Sequence, residues 1–492
     1  MIKPRSRKKA RIGVFGIGLA AYWPQFPGLK ERLEGYQKQV EEHLKAIGAE
    51  VVSAGLVDNS ASALSAGEFF CRADVDMILC YVGTYATSSQ VLPAVQRPRR
   101  PVLILNLQPI SALDYNHTDT GEWLANCCAC CVPEISCAFA RADITFNVVT
   151  GMLGNPAGSS LPEHPAAQRA WAEIAEWVAA AGVQRTLCTG RTGFLGHTYP
   201  GMLDMYSDFT MHHGQLGMHI EVLEMCDLAA RAEKATQDQI RHKLEETLAL
   251  FEVSQDSPSD PLAKAPRPEA LEWSARVSVA LDALIQEFDL DALTYYYRGL
   301  NENLYEDLAA GLILGNTLLT AKGYPCSGEG DLKTCMAMLI MDSLDAGGSY
   351  TEFYAMDFDE EFILMGHDGP AHIAISDRKP ILRGLGLYHG KAGKGVSVEM
   401  KVKNGPITIL GMTQTREGNL KMLAAEGESI PGDILLIGNT NSRLKFGIDP
   451  IDFMNDWCHE GPTHHCALGV GHQLSKIRKL SRLLGIELKV IG

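Results

Sequence analysis

Four short segments carry side chains that could do chemistry. Gly328-Glu329-Gly330-Asp331-Leu332-Lys333-Thr334 places an acid in a tight loop at a helix start. Thr351-Glu352-Phe353-Tyr354 places a second acid on a strand. Met365-Gly366-His367-Asp368-Gly369-Pro370-Ala371-His372 and Gly461-Pro462-Thr463-His464-His465-Cys466 are glycine-flanked histidine loops. Taken singly, each has a plain reading. Glu329 suits a helix dipole, Glu352 suits a solvent-facing strand position, and His367 and His465 suit hydrogen-bonded loops. The glycines tilt the balance, because they let backbone approach a ligand closely. Taken together, two carboxylates and one or two imidazoles form a mixed oxygen and nitrogen set. Such a set suits Mn²⁺, Co²⁺ or Mg²⁺ better than a thiolate zinc site does. Two carboxylates at one site can also divide acid and base roles. Spacing alone does not bring the four residues together.

Other candidate chemistry is weaker. Gly16-Ile17-Gly18-Leu19-Ala20-Ala21 follows a strand and looks like a dinucleotide fingerprint. The aromatic loop Tyr22-Trp23-Pro24-Gln25-Phe26-Pro27-Gly28 then intervenes before the helix, whereas a pyrophosphate needs the helix N-terminus at once. The next strand-end acid, Asp58, is also too far along the chain. A small-ligand or subunit contact fits this loop better than a nicotinamide does. Thirteen cysteines in 492 residues are too few for a disulfide scaffold. Cys127, Cys128, Cys130, Cys131 and Cys137 include C-x2-C pairs, the spacing of zinc or iron–sulfur ligands. They lie in an apolar stretch with no second group elsewhere, and read as packed free thiols.

The net charge of −15 argues against nucleic acid and anionic membranes as partners. One basic run, Lys3, Arg5, Arg7, Lys8, Lys9 and Arg11, opens the chain and reads as a solvated, disordered arm. No apolar h-region follows it. No apolar run is long enough to span a membrane. A cytoplasmic location is expected.

These residues need a scaffold. Strands at Arg11–Gly16, Glu50–Val57, Asp76–Val82 and Pro101–Leu107 alternate with helices at Leu29–Ile47, Ala61–Arg72 and Ser88–Val95. Short apolar strands between helices predict a doubly wound parallel sheet covered on both faces. A second α/β region follows. Ser160 with Glu163 suggests a capping box before a helix Pro165–Ala181 that Gly182 stops, then a strand Gln184–Cys188. Helix Glu269–Glu287, strand Ala292–Tyr297, and helices Leu304–Leu319 and Asp331–Leu344 continue it. The last third reads as antiparallel β, barrel or sandwich. Its strands are Thr351–Phe358, Phe362–Gly366, Ile373–Ser376, Val396–Val402, Ile407–Gln414 and Ile434–Gly438, with a hairpin at Asn404-Gly405. Helix His472–Leu484 and strand Glu487–Ile491 close the chain. The expectation is two doubly wound parallel α/β domains, residues 1–157 and 158–348, then a C-terminal antiparallel β-rich, barrel-like domain, 349–492. Glu329 falls in the second; Glu352, His367 and His465 fall in the third.

The four segments, in this order, resemble the L-arabinose isomerase and L-fucose isomerase family. The matches are Glu-Gly-Asp-x-Lys-Thr at Glu329–Thr334, Glu-x-Tyr at Glu352–Tyr354, Met365-Gly366-His367 ending a strand, and the pair His464-His465. The resemblance implies that Glu329, Glu352, His367 and His465 ligate one Mn²⁺ (or Co²⁺ or Mg²⁺), with Glu329 and Glu352 as the acid/base pair. It implies an aldose–ketose isomerase acting on a pentose or (deoxy)hexose through a cis-enediolate. It also implies a homotetramer or homohexamer with sites between subunits. Where arabinose isomerases carry Ser-Gln-His-Leu-Tyr-Gly after the first strand, this chain has Leu19-Ala20-Ala21-Tyr22-Trp23-Pro24. The sugar is therefore open. Tyr22, Trp23, Gln25, Tyr354 and His464 are the expected sugar contacts, and His372 is a further candidate near the metal. A metal-dependent epimerase or hydrolase on the same ligands, an inactive sugar-binding paralogue, and a nicotinamide oxidoreductase are the competing readings.

Overall fold

The computed structural model describes residues 2–298, 303–388 and 391–492. The chain forms two compact units, Lys8–Arg185 and Met1–Arg7 with Thr186–Gly492.

The first unit is a five-stranded parallel sheet. Its strands Arg11–Ile17, Glu50–Val57, Met77–Val82, Val102–Gln108 and Phe146–Met152 lie in the spatial order second, first, third, fourth, fifth. Met77–Val82 is buried along its whole length, as a strand covered on both faces must be. The glycines after the first strand do not open a phosphate cradle. A Cβ on Gly16 would stand 2.6 Å from Gln37 Oε1, and one on Gly18 would stand 2.7 Å from the Trp23 ring. Both spaces are filled by the chain itself.

In the second unit, Cys326–Ser327, Ala292–Tyr296, Arg191–Gly196 and His219–Leu223 make a four-stranded parallel sheet in that order. A closed six-stranded antiparallel barrel follows. Around it run Gly405–Gln414, His465–Val470, Gly347–Asp357, Phe362–His367, Thr440–Phe446 and Leu420–Ser429, which pairs back to Gly405–Gln414. Glu487–Val490 adds in parallel to Leu420–Ser429. Helix Leu332–Ser343, buried along nearly all its length, lies against the barrel strands Gly347–Asp357, His465–Val470 and Gly405–Gln414. Two glycines permit that approach. A Cβ on Gly348 would meet Met338 O at 3.0 Å, and one on Gly469 would meet the Met341 side chain at 2.4 Å. Sheet and barrel share one hydrophobic core, from Leu293 and Leu314 to Ile409 and Leu468. No helix among the described residues is long and apolar enough to cross a membrane.

Several expectations need correction. The helix from Pro165 does not stop at Gly182 but runs to Cys188, so Gln184–Cys188 is helical and the strand begins at Arg191. Gly182 serves a close approach instead: a Cβ there would sit 3.4 Å from Lys8 O. No hairpin forms at Asn404-Gly405. Val396–Glu399 pairs with Ile381–Gly384 in a separate small sheet, and Gly405–Gln414 pairs with Leu420–Ser429. The turn between those strands uses Gly418, at φ +86°. Ile373–Ile375 is a single 3-10 turn. Residues 434–438 form no strand, because the Asn441 side chain binds both Leu435 N (2.9 Å) and Leu435 O (3.0 Å) in place of a partner backbone. The basic start is no loose arm either. The Arg5 side chain is 5% exposed and pairs with Asp342 at 2.7 Å. Arg7 pairs with Asp345, and Arg11 with Glu50 at 2.8 Å.

Candidate metal centre

Strand register assembles the centre. On Gly347–Asp357, Glu352 lies directly opposite His465 on one neighbour and Gly366 on the other. Directly opposed residues share a face, so Glu352 and His465 project together. Gly366 is forced by space, since a Cβ there would stand 2.0 Å from Thr440 O; His367 is the next residue and ends its strand.

Glu329 arrives from the parallel sheet. It has φ +61°, a left-handed conformation that costs a non-glycine residue of order 1 kcal/mol. Backbone bonds hold it there. Tyr199 N donates to Glu329 O at 2.9 Å, and Gly330 N donates to Tyr295 O at 2.9 Å. Gly330 is irreplaceable for the same reason: a Cβ would stand 2.5 Å from His197 O. Asp331 then caps helix Leu332–Ser343, its Oδ1 accepting from Thr334 N at 3.0 Å.

The imidazoles are held from behind. His367 Nδ1 lies 2.7 Å from the Asp368 carbonyl, so it carries the proton and Nε2 is left for a ligand. His465 Nδ1 lies 3.1 Å from Asp331 Oδ2 and 2.7 Å from the Tyr350 hydroxyl. The two Nε2 atoms converge to 3.2 Å. Cis ligands about 2.1 Å from an octahedral cation would stand about 3 Å apart. Glu352, His367 and His465 offer atoms within 4.8 Å of one another, and so do Glu329, His464 and His465. His465 Nε2 is 3.3 Å from Glu329 Oε2. The four expected ligands are thus divided between two groups that share His465, with His464 completing the group of Glu329. A carboxylate behind a ligating histidine fixes its tautomer and raises its basicity, which is the place Asp331 occupies. The donor set fits a divalent cation.

Electrostatics agree. Burial, together with the nearby Glu352, Asp331 and Asp204 carboxylates, lifts Glu329 to about 7. Burial, with Asp368, also raises Glu352. Burial pushes His465 down despite Asp331, keeping it neutral as a ligand must be. Burial opposes ionisation of Asp331, but its bond to His465 and the charge of Lys333 outweigh that and hold it low. Asp204 behaves likewise: burial is outweighed by its bonds to His464. His464 is raised, burial being outweighed by Asp204 and Glu329.

Of the expected sugar contacts, His464 lines a cleft of about 420 Å³ together with Glu352, Asp204, Phe353 and Trp457. Tyr354 packs beside Gly366, its ring 2.9 Å from where a Cβ would stand. Tyr22, Trp23 and Gln25 belong to the first unit. Trp23 Nε1 donates to Asp58 Oδ2 at 2.8 Å, Gln25 Nε2 donates to Ala21 O at 2.7 Å, and Tyr22 meets Phe26 edge-on. His372 joins neither ligand group among the described residues; it is fully buried, and its ring nitrogens find no hydrogen-bond partner. Sequence reasoning missed Asp331, Tyr350 and Asp204 as supports. Asp331 stood inside the Glu329–Thr334 motif and could have been read from it.

The family model for the L-arabinose isomerase central domain matches residues 207–347, ending where the barrel begins. Over this region the chain is similar to the L-arabinose isomerases. It is 25% identical over 289 residues to an L-arabinose isomerase of Saccharophagus degradans, covering 56% of this chain and 55% of that protein. It is 23% identical over 298 residues to L-arabinose isomerase 2 of Clostridium acetobutylicum, 56% of each. The match to an L-arabinose isomerase of Vibrio parahaemolyticus is 21% over 451 residues, 86% of this chain and 83% of that protein. The chain thus spans just over half the length of the first two of these relatives.

Proposed function

We propose that this protein is a metal-dependent aldose–ketose isomerase acting on a pentose or (deoxy)hexose. The observation that carries the reading is the juxtaposition of two carboxylates, Glu352 directly opposite His465 and Glu329 Oε2 at 3.3 Å from His465 Nε2, with two imidazoles whose Nδ1 atoms are already engaged. Glu329, Glu352, His367 and His465 would hold the cation, Mn²⁺ in first place, with Co²⁺ or Mg²⁺ as substitutes. When bound, it supplies Lewis-acid polarisation of the substrate oxygens.

The chain's own residues do the rest. Isomerisation moves a proton between C2 and C1 of the open-chain sugar, by way of a cis-enediolate. One glutamate takes the carbon-bound proton and returns it to the neighbouring carbon, while the other serves the hydroxyl proton. A carboxylate positioned against the substrate can take and return a proton within one turnover, which is general acid–base catalysis. Asp331 and the Asp368 carbonyl keep the imidazoles in place through the cycle. The direct test is a panel of pentoses, hexoses and deoxyhexoses with Mn²⁺-loaded protein, read as ketose formed. Absence of ketose from every sugar would end this reading, and conversion between two aldoses would replace it with epimerisation.

Tyr22, Trp23, Gln25, Tyr354 and His464 are proposed as sugar contacts. The first three would act in a cytoplasmic homotetramer or homohexamer with sites between subunits. The division at 157 and 348 then separates a sugar-contact domain, a domain supplying Glu329, and a barrel supplying the other ligands. Trp23→Ala should change the ratio of kcat/KM between two sugars while leaving metal affinity alone. Pocket contacts of this size discriminate by about 1–3 kcal/mol. One common fall for all sugars would make the loop structural.

A further inference from the structure

Asp204 belongs to no motif read from the sequence. It sits in the 3-10 turn Leu203–Met205. Its Oδ2 accepts two hydrogen bonds from a single residue, from His464 N at 3.0 Å and from His464 Nδ1 at 2.6 Å. The first fixes where the His464 side chain starts, and the second fixes where its ring points. With Nδ1 turned to Asp204, Nε2 looks the other way. It lies 3.9 Å from Glu329 Oε2, at the cleft that Asp204, Glu352 and Trp457 also line.

The turn is itself tied down. The buried Lys333 Nζ donates to Tyr206 O at 2.9 Å and approaches Ser207 Oγ at 3.0 Å. Lys333 follows Glu329 by four positions, in the first turn of helix Leu332–Ser343, so one loop-to-helix junction both presents Glu329 and anchors the support of His464. The neighbouring His465 uses the same device to a different end. Its carboxylate is Asp331, and its Nε2 turns toward His367 Nε2 at 3.2 Å. Two adjacent imidazoles, each with a carboxylate on Nδ1, both present Nε2 to Glu329 Oε2, at 3.9 Å from His464 and 3.3 Å from His465, but His465 alone of the two also meets His367 Nε2.

We propose that Asp204 is a positioning residue that holds His464 with Nε2 toward the sugar, so that His465 alone of the pair ligates the cation. This rests on the isomerase reading of the same site. The test compares Asp204→Ala, His464→Ala, the double variant and Asp331→Asn. In Asp204→Ala, kcat should fall about 10- to 100-fold, the scale of a misplaced reacting group, while the Mn²⁺ dissociation constant measured by calorimetry stays within about twofold. In Asp331→Asn the Mn²⁺ constant should weaken about 10- to 100-fold, because that carboxylate supports a ligand. The double variant should be no slower than His464→Ala, since Asp204 acts only through that ring. A tenfold loss of Mn²⁺ affinity in Asp204→Ala, or losses that multiply in the double variant, would overturn the proposal.

A second readout needs no turnover. In protein labelled with ¹⁵N-histidine, the His464 ring signal, assigned by its loss in His464→Ala, should show the Nδ1-protonated form and change in Asp204→Ala. An unchanged signal also overturns the proposal. Should the wild-type protein convert no sugar, the isomerase reading falls, while the ring signal and the Mn²⁺ measurement still decide the role of Asp204.

Discussion

Two parts of this molecule gather residues of metal-binding type, and only one is arranged for it. In the first unit, Cys127, Cys128, Cys130 and Cys131 crowd together with C-x2-C spacing. Cys128 and Cys131 are buried among Phe15, Val82, Ile104 and Ile135. Their sulfurs lie against backbone carbonyls, Cys128 at 3.7 Å from Leu107 O and Cys131 at 3.7 Å from Thr84 O. Burial pushes Cys128 up to about 12, and Cys127 and Cys131 up to about 11, so the thiols hold their protons. In the second unit, His367 and His465 each have Nδ1 engaged and turn Nε2 toward the other. Spacing in the sequence does not make a site; what decides is whether the surroundings stabilise the form of the side chain that binds.

The largest effect that tests the contrast is catalytic. Glu329→Gln and Glu352→Gln keep shape and remove the base. Isomerase activity should fall at least about 100-fold in either, the low end of an acid–base contribution. A variant with bound metal and near-normal turnover would take that residue out of the pair.

The next effect is on metal. Chelation and reloading should return close to one Mn²⁺ per chain and raise the melting temperature, because a ligand bound to the folded state stabilises it by mass action. Elemental analysis of active protein near zero Mn²⁺ would remove the centre altogether.

How far could all this be read from the sequence? The strand Glu50–Val57 and the helix that starts at Ser88 are where periodicity places them. Local apolar pattern decides such elements. Barrel closure was not legible. Leu420–Ser429 is rich in Ala and Glu, and Thr440–Phe446 opens with three buried polar residues, Thr440, Asn441 and Ser442. Neither looks like a strand until its neighbours are known, because β preference reflects packing context. The four proposed ligands were legible as residue types in glycine settings, but the expectation that they converge came only from the resemblance. Asp204 was out of reach, since its partner is 260 residues away.

A third test uses pH against the cysteine group. Free thiols ionise near 9, while Cys127, Cys128 and Cys131 stay protonated in the fold to about 11 or 12. Above 9 the unfolded chain has lost these protons and the native chain has not. Stability is therefore complete below 9 and falls between 9 and 12. At pH 10 the loss is about 1 kcal/mol for each of the three. Denaturant titrations at pH 8 and 10 should show it, and Cys128→Ala should shrink the difference. An equal difference in that variant would mean the thiols are not what burial makes of them.

The smallest expected effect is the sharpest test of the comparison. Cys130 is exposed and close enough to raise the Cys127 pKa, so this pair is the most accessible to a metal. Binding there would require two thiolates, yet burial and the neighbouring thiols both oppose ionisation of Cys127. No histidine or carboxylate completes a ligand group with them among the described residues. Replacing both with Ala should leave metal content unchanged and cost about 1 kcal/mol of stability per site through lost packing. The measurement is zinc, iron and manganese per chain in the double variant beside the wild type. Loss of zinc or iron would show that the C-x2-C spacing had recruited its own ion despite apolar surroundings. Loss of manganese alone would instead tie the first unit to the integrity of the second.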